Sequence, residues 1–549
     1  MNMQVNSVNS REDNRRNLSR REMLTAATVS AAVLAGKAST GHTAGAQEPT
    51  GSNATDGDWD EEADLLVCGT GTAAFGALLA AQSGAKVLVA EKADRFGGTS
   101  SGSGGVFWLP LSYPQVEAGT QDSREEVIDY MRDCAEGRSS DAVIESFVDN
   151  AAPFLSWTHE ATGMEFTAST IPDYLDGKKG FKDGGRSVKP TSALDMWQLL
   201  QSRLEEEGAD VRLNCQLIDL VSDADGAVVG AVLKDGDAER RVRTGAVLLG
   251  TGGFEYDREM RERYLPFPLY ASNAVTTNTG DGHRAAAHVG ADLALMDLSW
   301  GLMDCYPNDF DPDADILFDL QGQDWARYRG HPNAIVVNSQ GKRFADEAAD
   351  YASFRRAVGN FDSVSLGYSN IPAYLIIDSA YLQHYKLPGM SEPGGDVPSY
   401  FVSSDSIEGL ADKLGVDPDG LTDEVERFNG FAHAGIDQDF HRGEKQYSQG
   451  IWKTDEQRDD LKNMCLGPID QPPFYGCLYL PMTCGTCGGV RINENAQAVD
   501  VDGNPISGLY ACGNCAAAIT GSGYVGAGGT LAPGAVMGYV AVRHALSLD

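Results

Sequence analysis

Two groups of residues in this chain have types and spacings that could do chemistry. In the first, Gly69-Thr70-Gly71-Thr72-Ala73-Ala74 follows the apolar, strand-length run Asp64 to Cys68 and opens an apolar helical stretch, Ala73 to Gln82. A second strand, Lys86 to Ala90, then closes on Glu91, 22 residues after Gly69. This strand–turn–helix–strand–acid order is that of a dinucleotide site. Gly69 permits the sharp turn, Gly71 lets backbone N–H groups approach a pyrophosphate at the helix N-terminus, and Ala74 fills the third position. Glu91 is expected to bond the ribose hydroxyls and to disfavour a 2′-phosphate. The second group is cysteine. Six of the ten cysteines fall between 465 and 515, and four of them form Cys-x-x-Cys pairs, Cys484 with Cys487 and Cys512 with Cys515. Thiolates at this spacing suit zinc or an iron–sulfur cluster, with Cys465 and Cys477 as alternate ligands. Extracytoplasmic disulfides and the packing of small residues in a Gly-rich core are the other readings. Neither pair runs into His, so attached c-type haem is unsupported.

The elements that must carry these groups follow from the pattern around them. A second Gly-rich stretch, Phe96 to Pro110, allows close passage of backbone along an extended cofactor. Ala246 to Leu249 reads as a strand entering the turn Gly250 to Gly253. No second complete fingerprint with its own acid is visible, so no NAD(P) domain is expected. The chain has 549 residues, 63 of them Gly, and a net charge of −36. Its length suits two to four domains. The composition excludes collagen-like, coiled-coil and wholly disordered classes, and the negative charge disfavours nucleic acid. Ser19-Arg20-Arg21 opens a short apolar run, and Ala44-Gly45-Ala46 offers a small-residue exit. The run is shorter than the roughly 20 residues of a transmembrane helix and reads as a twin-arginine export leader. An extracytoplasmic location is the corresponding expectation, with 47–61 as a linker.

Further segments carry a family resemblance. They are Gly97 to Pro110, Gly185 to Val188, Val337 to Phe344, Val425 to Phe431, Leu466 to Asp470, Gly508 to Asn514 and Tyr524 to Pro533. In this order they resemble the 3-ketosteroid Δ1-dehydrogenases, a branch of the fumarate-reductase-type flavoproteins. The resemblance implies an α/β fold: a Rossmann-like FAD-binding domain in two segments, 62–300 and 480–549, with a substrate domain, 301–479, inserted between them. It assigns FAD contacts to Gly69, Gly71, Ala73, Ala74, Glu91, Lys92, Gly97, Gly98, Thr99, Ser100, Gly104, Gly105, Gly252, Gly513, Asn514, Gly529, Thr530 and Leu531. Fumarate reductases place an Arg acid four residues after a Glu; here Glu347 is followed at that distance by Tyr351. The resemblance makes Tyr351 the proton-transferring residue and Tyr174 its support. It also makes Tyr524 and the Gly528 N–H the grip on the substrate carbonyl.

These groups suit one operation. The β carbon of a C=C bond conjugated to a carbonyl takes hydride from reduced flavin. Charge building on the carbonyl oxygen is held by an oxyanion hole, and Tyr351 protonates the α carbon. The resemblance therefore implies reduction of such a bond in a steroid-like substrate. The export leader and added cysteines resemble the cardiac-glycoside-reducing members of the branch. That implies the unsaturated lactone ring of cardenolides such as digoxin, a [4Fe-4S] cluster and electrons from a membrane-associated cytochrome. The other readings are Δ1-dehydrogenation of 3-ketosteroids, respiratory reduction of another unsaturated carbonyl, and a flavin electron carrier with no substrate. His331 is expected to pack or lie at the surface, Asn333 to lie near the active-site entrance, and the acidic run Asp309 to Asp313 to be solvated.

Overall fold

The computed structural model describes residues 59–191, 195–307, 310, 318–319, 328–387, 390–452 and 458–548. The expected leader, most of the linker and all of the acidic run except Phe310 lie outside the described residues. Among the described residues no helix is long and apolar enough to cross a membrane.

The apolar runs form parallel strands with both faces covered, as the near-continuous burial of Leu65 to Cys68 and Val87 to Ala90 requires. Glu61–Cys68 lies between Val87–Ala90 and Ala238–Leu249 and is parallel to both. Asp210–Arg212 extends the sheet on one side and Pro505–Ala511 on the other, also in parallel. The register aligns Cys68 with Ala90 and Leu249, and Leu249 with Ala511. Four carboxyl ends thus reach one edge of the sheet, and Gly69, Glu91, Gly250 and Cys512 follow them. Ligands bind outside this edge in open α/β sheets. Beneath it, helix Ala73–Gln82 packs on helix Leu531–Ala545. The approach is close: a Cβ on Gly76 would lie 2.6 Å from the Gly538 oxygen.

A second sheet is organised around Phe474–Thr483. This strand pairs in antiparallel with Ala373–Asp378, Met303–Tyr306 and Val402–Ser404, and in parallel with Ala271–Ser272. Its end delivers Cys484 towards the first sheet's edge. Tyr351 arrives by a different device. Buried Arg343 lies 2.6 Å from Glu347 and 2.8 Å from Asp437, and buried Arg442 lies 3.3 Å from Glu347. This network holds the turn that leads to Asp350. The Asp350 carboxylate accepts from the N–H groups of Ala352 (3.1 Å) and Ser353 (2.9 Å), capping the helix Tyr351–Val358.

His283, in the helix Asp281–His288, is fully buried, with Nε2 2.9 Å from the Gly488 carbonyl. Burial pushes its pKa down from 6.5 to about 4. The folded protein therefore holds it neutral where the unfolded chain begins to protonate it. The stability this contributes is present above pH 6.5 and is lost as the pH falls through about 4; it is worth roughly 3 kcal/mol. His283→Gln should flatten the acid side of a plot of Tm against pH. Wild-type and variant curves that fall in parallel from pH 7 to 4 would contradict this.

Candidate active site

One cavity of about 380 Å³ lies along the carboxyl edge of the first sheet. It includes every expected cofactor residue except Ala73, Ala74, Gly97 and Gly529. Ala73 and Ala74 are buried behind it in the first turn of the helix, and Gly97 caps the short helix Gly98–Ser101. Gly529 lines a small separate void beside Thr530. The turn is built for close approach. Gly69 has φ 104°, and a Cβ there would overlap the Gly250 carbonyl. The Glu91 carboxylate accepts from Thr70 N–H (3.0 Å), Thr70 O–H (2.6 Å) and Ala93 N–H (2.8 Å). Three of its roughly four acceptor positions are thus used to brace the turn, and one remains for a ribose hydroxyl. Lys92 donates to Asp281 (2.9 Å) and Thr279 (2.6 Å) in the same wall. Side-chain-free turns, a helix N-terminus and a braced acid fit FAD.

The same cavity reaches Tyr174, Tyr351, Tyr524 and Gly528. The three tyrosine rings form a triangle, with centroids 5.3 Å apart for Tyr351 and Tyr524, 5.5 Å for Tyr174 and Tyr524, and 5.6 Å for Tyr174 and Tyr351. Tyr351 hydrogen-bonds Tyr524, and Thr530 hydrogen-bonds Tyr524 as well. Burial pushes Tyr351 well above the ordinary phenol range and Tyr524 up to about 12. Both are therefore neutral phenols at neutral pH. Two aromatic residues around the tyrosine triangle escaped sequence reasoning: Tyr447, which lines the cavity, and Trp300, which packs on Tyr524 but does not line it. Tyr447 stands edge-on to Tyr174 at 5.2 Å, and Trp300 edge-on to Tyr524 at 6.2 Å. Neither lies in a motif; only the fold brings them in. Asn333 does not line the cavity; its amide donates to the Pro468 carbonyl at 2.6 Å. His331 packs as expected, stacked 4.2 Å from Tyr385.

The loop carrying Tyr524 is pinned by buried charge. Arg186 donates to Asp122 at 2.6 and 3.0 Å and also to Asp173, while Trp108 Nε1 donates to Asp173 at 2.8 Å. Asp173 precedes Tyr174, whose N–H donates to the Val525 carbonyl at 3.1 Å; the Tyr130 hydroxyl donates there too, at 2.8 Å. Arg186 and Asp173 are fully buried. Arg186→Met would leave two carboxylates without their cation, which should cost about 3–5 kcal/mol. Chemical denaturation reads this directly; a loss under about 1 kcal/mol would place the pair among the weak surface type.

The expected cysteine ligand set is not assembled. All ten cysteines are free thiols, so the disulfide reading is not realised here either. Among the described residues no group of three or more His, Cys, Asp or Glu is placed to hold a metal ion. The reason is topological. Cys512 and Cys515 follow a strand of the first sheet and pack in its core, where Thr251 O–H donates to Cys515 Sγ at 3.4 Å. Cys484 and Cys487 follow the second sheet's central strand and pack with Trp300 and Tyr524. Cys465 lies against Trp452, and Cys477 in the second sheet's own core.

Comparison with known proteins points to FAD as well. The FAD binding domain family matches residues 64–531. A 4-oxocyclohexanecarboxylate 2-dehydrogenase of Sinomonas cyclohexanicum is 32% identical over 87% of this chain and 92% of its own. The digoxin reductase of Eggerthella lenta is 26% identical over 97% of this chain and 98% of its own. The crystal structure of the 3-ketosteroid Δ1-dehydrogenase of Sterolibacterium denitrificans, in complex with 1,4-androstadiene-3,17-dione, superposes with a TM-score of 0.80. It is 27% identical and covers 89% of this chain and all of that one. The chain belongs to the FAD binding domain family. Within it, the protein is an FAD-dependent oxidoreductase of the steroid dehydrogenase and digoxin reductase branch, acting on carbon–carbon bonds.

Proposed function

We propose that the protein reduces a C=C bond conjugated to a carbonyl in a steroid-like molecule. The observation that carries this reading is the hydrogen-bonded pair of neutral phenols, Tyr351 and Tyr524, in the wall of the FAD cavity. Bound FAD supplies the hydride. Tyr524, hydrogen-bonded to Tyr351 and Thr530, is placed to hold a substrate carbonyl together with the Gly528 N–H. Tyr351 holds the proton destined for the α carbon. Tyr174 packs against both rings and Trp300 against Tyr524, which fixes the orientation of the pair.

The unsaturated lactone of a cardenolide is the finer substrate reading, supported by the near full-length likeness to a digoxin reductase. Dehydrogenation of a cyclic ketone is the second reading, supported by the 32% identity to the oxocyclohexanecarboxylate enzyme. We further propose that the protein works outside the cytoplasm, exported folded through its Arg20-Arg21 leader, and draws electrons from a membrane-associated cytochrome. An anaerobic panel tests the substrate. Dithionite-reduced holoenzyme is mixed with digoxin, 1,4-androstadiene-3,17-dione or fumarate, and flavin reoxidation is followed in the visible. Digoxin or the dienone should reoxidise the flavin. Reoxidation by fumarate alone would overturn the steroid-like reading.

A further inference from the structure

Cys484 and Cys487 take no part in the reaction above, yet their surroundings are organised. Cys484 lines the FAD cavity. The two residues between the thiols are pinned on both flanks. The Thr483 hydroxyl donates to the Trp300 carbonyl at 2.7 Å and accepts from Gly485 N–H at 3.0 Å. The Thr486 hydroxyl accepts from Phe254 N–H at 3.1 Å and donates to Glu255 at 3.4 Å. A Cβ on Gly485 would overlap the side-chain amide of Asn514, another residue of the cavity wall. The Cys-x-x-Cys turn thus sits directly against the FAD site.

In a regular strand, residues three apart point to opposite faces. Here the chain bends at Cys484, and Gly485 has φ 154°. Both cysteines consequently join one apolar cluster with Trp300 and Tyr524. Both also face Arg355, which stands one helical turn after Tyr351. Arg355 is 4% exposed, and no carboxylate among the described residues pairs with it. It donates to the Ser299 carbonyl at 2.5 Å and the Ser299 hydroxyl at 2.6 Å, while its Nε has no hydrogen-bond partner. The acidic groups within its electrostatic reach are the thiols of Cys484 and Cys487. Burial raises both thiols, Cys484 up to about 12, so the reduced pair is protonated, and the Arg355 guanidinium is the largest influence opposing that rise.

We propose that Cys484 and Cys487 are a redox-active dithiol that closes to a disulfide by passing two electrons to bound FAD. Both S–H bonds break and one S–S bond forms. The two electrons and two protons released convert oxidised FAD to its dihydro form, and the reverse step reopens the disulfide. The free thiols seen in the structure are the reduced state of this couple. It gives the enzyme a two-electron reserve beside its cofactor. The inference rests on FAD binding alone, not on the substrate reading.

Electron counting tests it. Holoenzyme purified with FAD and fully oxidised by ferricyanide should take four electrons per FAD in an anaerobic dithionite titration, two for each couple. Cys487→Ser should take two. Without any variant, alkylation of the denatured oxidised wild type should leave Cys484 and Cys487 unlabelled in one disulfide-closed peptide. After reduction all ten thiols should label. Two electrons per FAD in the wild type, with all ten thiols labelled in both states, would overturn the proposal even if Cys487→Ser failed to fold.

Discussion

Tyr351→Phe is expected to lower turnover of an unsaturated carbonyl substrate about 10²–10⁴-fold while FAD stays bound. The ring is half of an edge-and-face contact with Tyr174 and Tyr524, and Phe keeps that packing. Only the hydroxyl is lost, and with it the proton and the hydrogen bond to Tyr524. Turnover within about threefold of wild type would remove Tyr351 from the proton transfer. The pH profile separates the two directions of reaction. Burial, followed by the nearby Tyr524 and Tyr174, holds the Tyr351 phenol far above its usual range. Reduction uses the protonated form, so its rate should not respond to this group between pH 6 and 9. Dehydrogenation needs the phenolate, so its rate should climb about tenfold per pH unit over the same span. The two slopes are read in stopped-flow half-reactions.

The parts legible in the sequence were those set by local rules. Gly69, Gly71 and Glu91 stand at the carboxyl edge of parallel strands because a turn, a helix and a strand of given lengths leave them no other place. Tyr351 and Tyr524 lie in motifs whose order along the chain could be read. The tyrosine triangle itself could not be read that way, because its corners are separated by more than 170 residues and meet only through two sheets. Tyr447 is more extreme: it sits in a six-residue helix with no distinctive neighbours, and packing alone gives it a role. The cysteines misled for the complementary reason. Spacing along the chain makes Cys484, Cys487, Cys512 and Cys515 look like one ligand set. The first two, however, leave a strand of one sheet and the last two a strand of another. Each pair settled into the core its own strand reached. What spacing could not show is that Cys484 opens on the cofactor cavity and that it and Cys487 lie within electrostatic reach of a buried arginine.

Gly69→Ala should nearly abolish FAD binding without unfolding the sheet. At φ 104° the backbone is in a region that side chains rarely adopt, and the added Cβ would overlap the carbonyl of Gly250 on the neighbouring strand. Neither backbone can yield cheaply, since Gly250 N–H is itself bonded to the Cys68 carbonyl at 2.8 Å and Gly69 N–H to that of Ala90, also at 2.8 Å. The turn must therefore move, and Thr70 moves with it. Thr70 holds both Glu91, through two hydrogen bonds, and the second Gly-rich loop, whose Gly97 N–H donates to the Thr70 hydroxyl at 2.8 Å. A single methyl group thus displaces the pyrophosphate turn, the ribose acid and the loop over the cofactor together. A rearrangement of about 3 kcal/mol weakens FAD binding more than 100-fold. Bound flavin per protein after gel filtration measures this. The strands are held mainly by ladders from Leu65 to Val67, away from the turn, so far-UV circular dichroism should keep its wild-type form. Stoichiometric FAD in this variant would mean that the turn does not carry the pyrophosphate. A loss of FAD together with the fold would mean that the turn belongs to the core, not to the site.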